Sequence, residues 1–478
     1  MRNACSLGLV PGMIGNVSII TRGLTVGHHR PRNPVQTRSR RPWLAAIATW
    51  AILTSGGVVA QEAELIEEGR RLFFEETFDG NGRTCGTCHP ATHNFTIDAD
   101  FIARLPDDDP LFVAEFNPDL AELENPDLMR EQGLILENTN GFDASPTFRG
   151  TPHNVGMSVS ITAADTHGGP TRDAVGWSGD GAPNDGTIRD FLQGAITQHF
   201  PRTLARIEGR DFRLPTAAEA HAVEAFLLSL GRQNELDLEV LEFASPDVDA
   251  GRRLFLGKDG ANRACSGCHG NAGANNAAGL NRNFDTGARS LNPSLPLDDG
   301  FGSPGDGTFN VVSLVEAADT APFFHNHGAA TIEDAVDFYT TSDFGDSPAG
   351  GGNPFNFSGL QIEQVAAFLR AINARFNLSN SNVLSAEAAG LDIATGRDRI
   401  REVIAESEDA IEVLTRGPFG TDFQPLVAPV RRALGQERRA LAARQVEQRN
   451  AALAQARQLK DGVAESLLAP SEVANVAP

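Results

Sequence analysis

The residues best equipped for chemistry in this 478-residue chain sit in two short stretches, Cys85-Gly86-Thr87-Cys88-His89 and Cys265-Ser266-Gly267-Cys268-His269. Both have the C-x-x-C-H form of a covalent c-type haem attachment site. Two thiols three positions apart reach the two haem vinyl groups, and the adjacent imidazole becomes an axial iron ligand. A zinc site or a redox dithiol is the alternative, but structural zinc wants four ligands in one cluster and each Cys pair here brings one adjacent His. The spacing therefore predicts two covalently bound haems c, one held by Cys85, Cys88 and His89 and the other by Cys265, Cys268 and His269.

The rest of the chain must carry and position these groups. Its length allows two or three domains with real cores. Arg38-Ser39-Arg40-Arg41, the apolar run Trp43 to Leu53 and the small residues Val58-Val59-Ala60 read as the three parts of a secretory signal, cleaved before Gln61. A start at Met1 makes that leader too long, so either translation begins closer to Val35 or the basic region is extended. The alternative, a single N-terminal membrane anchor, is disfavoured by the short apolar run. Residues 1–60 hold seven Arg, no acid, and Cys5, which leaves 33 basic against 62 acidic residues and a net charge of −29. That balance argues against nucleic acid and anionic membrane as partners and tolerates a basic electron donor or a neutral substrate. The two motifs use all four remaining cysteines, so no disulfide is left. A periplasmic or secreted location is expected from the leader and from the oxidising compartment in which c-type haem is attached.

An internal repeat organises the chain after the leader. Glu68-Gly69-Arg70-Arg71-Leu72-Phe73-Phe74 precedes the first motif, and Ala250-Gly251-Arg252-Arg253-Leu254-Phe255-Leu256 precedes the second at nearly the same distance. Each reads as a short amphipathic helix that packs Leu and Phe on the porphyrin edge. The helical run around Ala222 to Leu230 is echoed by Glu363 to Ile372, and Thr187-Ile188-Arg189-Asp190 by Thr331-Ile332-Glu333-Asp334, a helix start with Thr as N-cap. The fold class expected is mainly α, two cytochrome c-like haem domains in tandem (61–243 and 244–378) plus a helical C-terminal extension (379–478) after the leader (1–60). Gly- and Pro-rich stretches such as Asp298 to Gly307 and Ser347 to Pro354 read as loops. Asp98 to Asn140 is an insertion whose role the sequence does not reveal. Residues 395–415 and 426–466 are charged and Ala-rich, with apolar residues at helical spacing from Arg431 to Lys460. They predict one or two helices, a packed or solvated appendage in preference to a cap or a partner site.

Over about residues 62–378 the chain resembles the dihaem cytochrome c peroxidase family, including its MauG-type members. The residues that carry the resemblance are the two haem motifs, Arg149-Gly150-Thr151-Pro152 with Trp177 downstream, and Thr320-Ala321-Pro322-Phe323-Phe324-His325 followed by Thr331 to Val336, in that order. The resemblance implies that peroxide reacts at the first haem and that the second relays electrons through a tryptophan between the haems. Trp177 matches that tryptophan, with an ordinary buried aromatic as the alternative. Tyr339, the chain's only tyrosine, lies fourteen residues after His325. Ordinary family members place a methionine ligand there, and MauG-type members a tyrosine. A phenolate ligand would lower the potential of the second iron and favour higher oxidation states.

Departures from the family pattern qualify that picture. Phe191 falls where the family carries a Gln in the peroxidatic pocket. No carboxylate stands at the position of its Glu, although Glu208 is nearby and His199 could move a proton instead. The regulatory distal His of many peroxidases has no counterpart at its usual distance; His93 is too close to the motif, and His153, His167 and His199 are the candidate distal groups. A Phe beside Trp over an open haem also resembles the dihaem rubber oxygenases, which keeps dioxygen in play. Thr320 and Pro322 match residues that offer carbonyls to an interdomain calcium ion in the family, but Gly150 replaces its Asn ligand, which weakens that site. Val315 likewise replaces an Arg. Three functions follow as expectations: a peroxidase or MauG-like oxidase acting on hydrogen peroxide, an electron-transfer cytochrome, and a haem-dependent oxygenase. A small redox protein or an oxidisable substrate would supply the electrons.

Overall fold

The computed structural model describes residues 61–139, 141–161, 175–177, 187–276, 279–296 and 307–470. Contacts divide the chain into Met1–Val58 and Val59–Pro478, and the described residues belong to the second unit. The leader, most of the loop Asp298 to Gly307, and His167 lie outside the described residues. The described chain is mainly helical, with two short antiparallel ribbons among its described residues. The principal helices are α1 (61–75), α2 (Ile188–His199), α3 (Ala217–Ser229), α4 (Pro246–Phe255), α5 (Ile332–Phe338), α6 (Gly359–Gly390), α7 (Ile393–Thr415), α8 (Gly420–Ala442) and α9 (Val446–Ser466).

Both helix starts read from the Thr-x-x-Asp echo are present. The Asp190 amide donates to Thr187 Oγ1 at 3.2 Å and the Asp334 amide to Thr331 Oγ1 at 3.1 Å, while each Asp carboxylate accepts from the Thr amide in return. These capping boxes satisfy amides that the first turn of a helix leaves without partners.

The duplicated sequence is also a duplicated helix crossing. α1 meets α3 at Gly69, where an added Cβ would fall 1.9 Å from the Ala222 carbonyl oxygen; α4 meets α6 at Gly251, where it would fall 1.9 Å from the Gln364 carbonyl oxygen. Beside each glycine an aromatic pair closes the crossing. Phe73 and Phe226 have ring centroids 5.4 Å apart at 59°, and Phe255 and Phe368 5.4 Å apart at 55°. Leu72 and Leu254 turn into the helix cores, so of the Leu-Phe pairs expected to face a cofactor, it is the Phe that lines a cavity in each case.

The insertion folds into short helices (Ala99–Ile102, Val113–Phe116, Pro126–Gln132) and the strand β1 (Leu134–Glu137), which pairs with β2 (Thr147–Gly150) in the register Leu134↔Gly150 to Glu137↔Thr147. Ile97, Ile102, Leu111, Phe112, Met129 and Ile135 give it a small core of its own. The second ribbon pairs β3 (Asn283–Phe284) with β4 (Phe309–Asn310).

At the C-terminus the structure departs from the expected division. The boundary at 378/379 falls inside α6, whose 32 residues run on to Gly390. Three further helices follow, where one or two were expected. α6 to α9 form an up-down-up-down bundle, because the layer Leu378, Ala410, Val430, Val463 and the layer Ala388, Ile400, Ala440, Leu453 each take one residue from every helix with alternating chain direction. The turn between α8 and α9 escaped the sequence pattern since Ala443-Arg444-Gln445 contains neither Gly nor Pro. The bundle is a packed appendage: Val413, Leu414, Phe423, Val427 and Leu467 share one buried cluster with Phe255 and Phe368.

Candidate functional site

Each C-x-x-C-H motif forms one tight turn on the wall of a cavity. In the first, Cys85–Cys88 is a single helical turn and the His89 amide donates to the Cys85 carbonyl at 3.0 Å. Gly86 is needed there, since a Cβ would fall 2.4 Å from the Phe74 ring. In the second, the amides of Cys268 and His269 both donate to the Cys265 carbonyl, at 3.2 and 2.9 Å. The two histidines are held alike. His89 Nδ1 lies 2.7 Å from the Phe95 carbonyl oxygen and His269 Nδ1 3.0 Å from that of Val312. A carbonyl can only accept, so Nδ1 carries the proton in both rings and Nε2 is left with its lone pair, the arrangement that an axial ligand requires. Burial pushes both imidazoles down to about 4, which keeps them neutral.

The four cysteines of the two motifs are free thiols. Burial pushes Cys85 up to about 12, Cys88 to about 11 and Cys265 to about 12, and raises Cys268 as well.

The first cavity, about 160 Å³, is lined by Cys85, Cys88, His89 and Phe73 on one side and by α2 on the other. α2 lays Phe191, Leu192, Ala195 and His199 along it, a spacing that puts them on one helical face. The second cavity, about 450 Å³, is lined by Cys265, Cys268, His269, Phe255 and Phe357 together with Tyr339. Tyr339 sits among Phe324, Phe338, Phe344 and Phe355. Burial raises its phenol, with Cys265 and Cys268 adding to the effect, so without a neighbouring cation the ring stays protonated.

Trp177 lines both cavities. Its Nε1–H donates to the Gly150 carbonyl at 2.7 Å and its own carbonyl accepts from the Asn310 amide at 2.6 Å. Beyond it stands His325, stacked on Phe309 with centroids 3.7 Å apart and 6.4 Å from the Trp177 ring.

The remaining candidates separate. Phe191 and His199 belong to the first cavity. His153 lines the second cavity and also stands near enough to His89 to help lower that imidazole. His93 is spent in the insertion, 3.3 Å from Asp98 and stacked on Phe101. Glu208 corrects an expectation: it is exposed on the turn that bridges to Phe212 and lines neither cavity. The carboxylate that does stand near His199 is Glu124, from the insertion, with Oε1 3.9 Å from His199 Nδ1. Nothing in the sequence pattern pointed to it, because the insertion carries no motif and its packing places the residue.

The residues present fit haem: two free thiols, a neutral imidazole with a free lone pair and an apolar wall meet at each cavity. For calcium at Thr320 and Pro322, position 150 can add no oxygen donor. A Cβ on Gly150 would fall 2.0 Å from His327 Nε2, so an imidazole fills the room that an oxygen-bearing side chain at 150 would need. Among the described residues no group of three or more His, Cys, Asp or Glu is arranged to hold a metal ion.

No protein-family model matches the chain, and no curated protein shows significant similarity to it.

Proposed function

We propose that the chain is a dihaem c-type cytochrome oxidoreductase, peroxidase or MauG-like, in which hydrogen peroxide reacts in the first cavity and electrons are shared with the second. The observation that carries the reading is that one tryptophan lines two apolar cavities, each walled by a C-x-x-C-H turn whose imidazole is fixed through Nδ1. Under this reading residues 61–243 and 244–378 are tandem cytochrome c-like units, supported by the repeated crossing at Gly69 and Gly251. Haem, when bound, supplies iron that takes peroxide and stores oxidising equivalents.

The chain's own residues set the conditions for that chemistry. The Phe95 and Val312 carbonyls hold the two imidazoles in ligand orientation. Phe191, Leu192 and Phe73 keep the first cavity apolar and limit its water. Tyr339 is the candidate sixth ligand in the second cavity, and Trp177 the link between the two. A basic electron-carrier protein in a periplasmic or secreted setting suits the acidic surface.

An electron-transfer cytochrome is the second reading, favoured by one observation: the ring of His199 faces the same cavity as His89. Electron paramagnetic resonance of the ferric protein separates the two. A first haem with a high-spin, open-position signal supports catalysis, and two exclusively low-spin bis-His signals would reverse the assignment. Turnover with hydrogen peroxide and a reduced donor, set against turnover with dioxygen, then distinguishes a peroxidase from an oxygenase.

A further inference from the structure

His199 stands at the end of α2 with one nitrogen in an unusual position. Its Nδ1 is buried and has no hydrogen-bond partner, while its ring lines the first cavity. The nearest carboxylate, Glu124 Oε1 at 3.9 Å, is held in place with little freedom. Arg83 Nη1 donates to that same oxygen at 2.7 Å, the Leu136 amide donates to Oε2 at 2.9 Å, and both side chains of the ion pair are essentially without solvent contact. Arg83 is itself fixed, with Nη2 donating to the Leu111 carbonyl at 2.6 Å and Nε to that of Pro110 at 3.2 Å. The helix end that carries His199 is pinned as well: Asn81 Nδ2 donates to the His199 carbonyl at 2.9 Å, and Asn138 Nδ2 to that of Gln198 at 3.1 Å.

An ionised carboxylate 3.9 Å from Nδ1 favours the proton on that nitrogen, which leaves the Nε2 lone pair to serve the cavity that the ring lines. We propose that His199 is the acid–base residue of the first cavity and that Glu124, through Arg83, is its positioning residue. The proposal rests on the dihaem reading above and gives the insertion a purpose. Glu124 remains ionised: burial alone would raise its carboxyl, but Arg83 and His199 outweigh this and hold it below the usual carboxylate range. In a turnover hydrogen peroxide takes up two protons and two electrons, the electrons from a reduced electron-carrier protein, and leaves as two waters. His199 Nε2 takes the proton from one peroxide oxygen and returns it to the other, which departs as water with both electrons of the broken O–O bond; the oxygen left behind takes the two donor electrons and two solvent protons and leaves as the second water. Besides Arg83, the charged or titratable groups lining this cavity with His199 are Cys85, Cys88, His89, Glu137 and Arg149, and His153 stands near His89.

The test uses the haem-loaded full chain and hydrogen cyanide, which must surrender a proton to bind ferric iron. Cyanide association at the first haem, followed by stopped-flow absorbance, is expected to slow about 10²–10⁴-fold in His199→Gln and about 10–100-fold in Glu124→Gln, with the resting electron paramagnetic resonance signal unchanged in both. Glu124→Asp, which keeps a carboxylate beside Nδ1, should recover part of the rate lost in Glu124→Gln; a merely structural role would leave the shortened side chain no better than the amide. Unchanged cyanide rates in His199→Gln overturn the proposal, and so does conversion of a low-spin first haem to high-spin in that variant, which would make His199 an axial ligand. His199→Gln leaves the buried Arg83–Glu124 pair intact and decides the matter if Glu124→Gln does not fold. Cyanide association that depends on His199 in a protein that consumes no peroxide would sustain the acid–base assignment and overturn the peroxidase reading instead. A chain that attaches no haem would overturn both.

Discussion

At the scale of single residues, the account depends on which nitrogen or oxygen each side chain can offer. His89 and His269 present Nε2 because a backbone carbonyl occupies Nδ1 in each. Tyr339 presents a phenol that burial holds neutral, so a neighbouring cation must ionise it for it to bind as phenolate. Tyr339→Phe is therefore expected to abolish the low-spin His/Tyr signal of the second haem and to raise that haem's potential, with the fold intact because the aromatic cage of Phe324, Phe338, Phe344 and Phe355 accepts a phenyl ring equally well. An unchanged resonance spectrum would remove Tyr339 from the coordination sphere. The motif residues were legible in the sequence because attachment chemistry fixes their spacing within five positions. Glu124 and the bystander status of Glu208 were not, since proximity to His199 is made by the tertiary packing of the insertion, and separation along the chain says nothing about it. His327 is a third case: that it fills the space beside Gly150 could be learned only from the fold.

At the scale of elements, the two glycine crossings are the device that brings helices close enough to shape the cavities. Ala in place of Gly within a helix ordinarily stabilises by about 1 kcal/mol. At Gly69 and Gly251 the sign should reverse, because the added Cβ meets a backbone carbonyl at 1.9 Å that cannot retreat without parting the helices. Gly69→Ala or Gly251→Ala is expected to cost about 1–3 kcal/mol, read as a lower denaturant midpoint. A neutral or stabilising effect would mean that the crossing is looser than described. This repeat was visible in the sequence since the same residues recur at the same spacing before each motif. The run of α6 past residue 378 was not, because the Asn- and Ser-rich stretch 377–382 reads as a loop although the helix runs through it. The fourth bundle helix escaped for the opposite reason, a turn with neither Gly nor Pro to mark it.

For the whole molecule, buried carboxyls in the bundle link stability to pH. Burial pushes Glu406 up to about 8; its hydrogen bond from Asn380 opposes this, and the nearby Asp319 reinforces it. A carboxyl whose folded-state value lies above the unfolded one is most favourable to folding below the unfolded value. Its contribution falls as the pH rises from about 4.5 to about 8, where only the unfolded state ionises freely. Glu406→Gln is accordingly expected to leave stability nearly unchanged at pH 4 and to raise it at pH 8, on the order of 1–3 kcal/mol. Equal effects at both pH values would show that Glu406 is already ionised in the folded protein.

Everything functional proposed for the chain stands on covalent haem at two motifs. The direct measurement is to express the chain with a c-type cytochrome maturation system and determine haem per chain, by intact-protein mass together with the pyridine haemochrome spectrum. Two haems per chain that survive denaturation are the expected result, falling to one in Cys85→Ala/Cys88→Ala and to one in Cys265→Ala/Cys268→Ala. A chain that folds without haem, or that binds zinc in its place, would contradict the account.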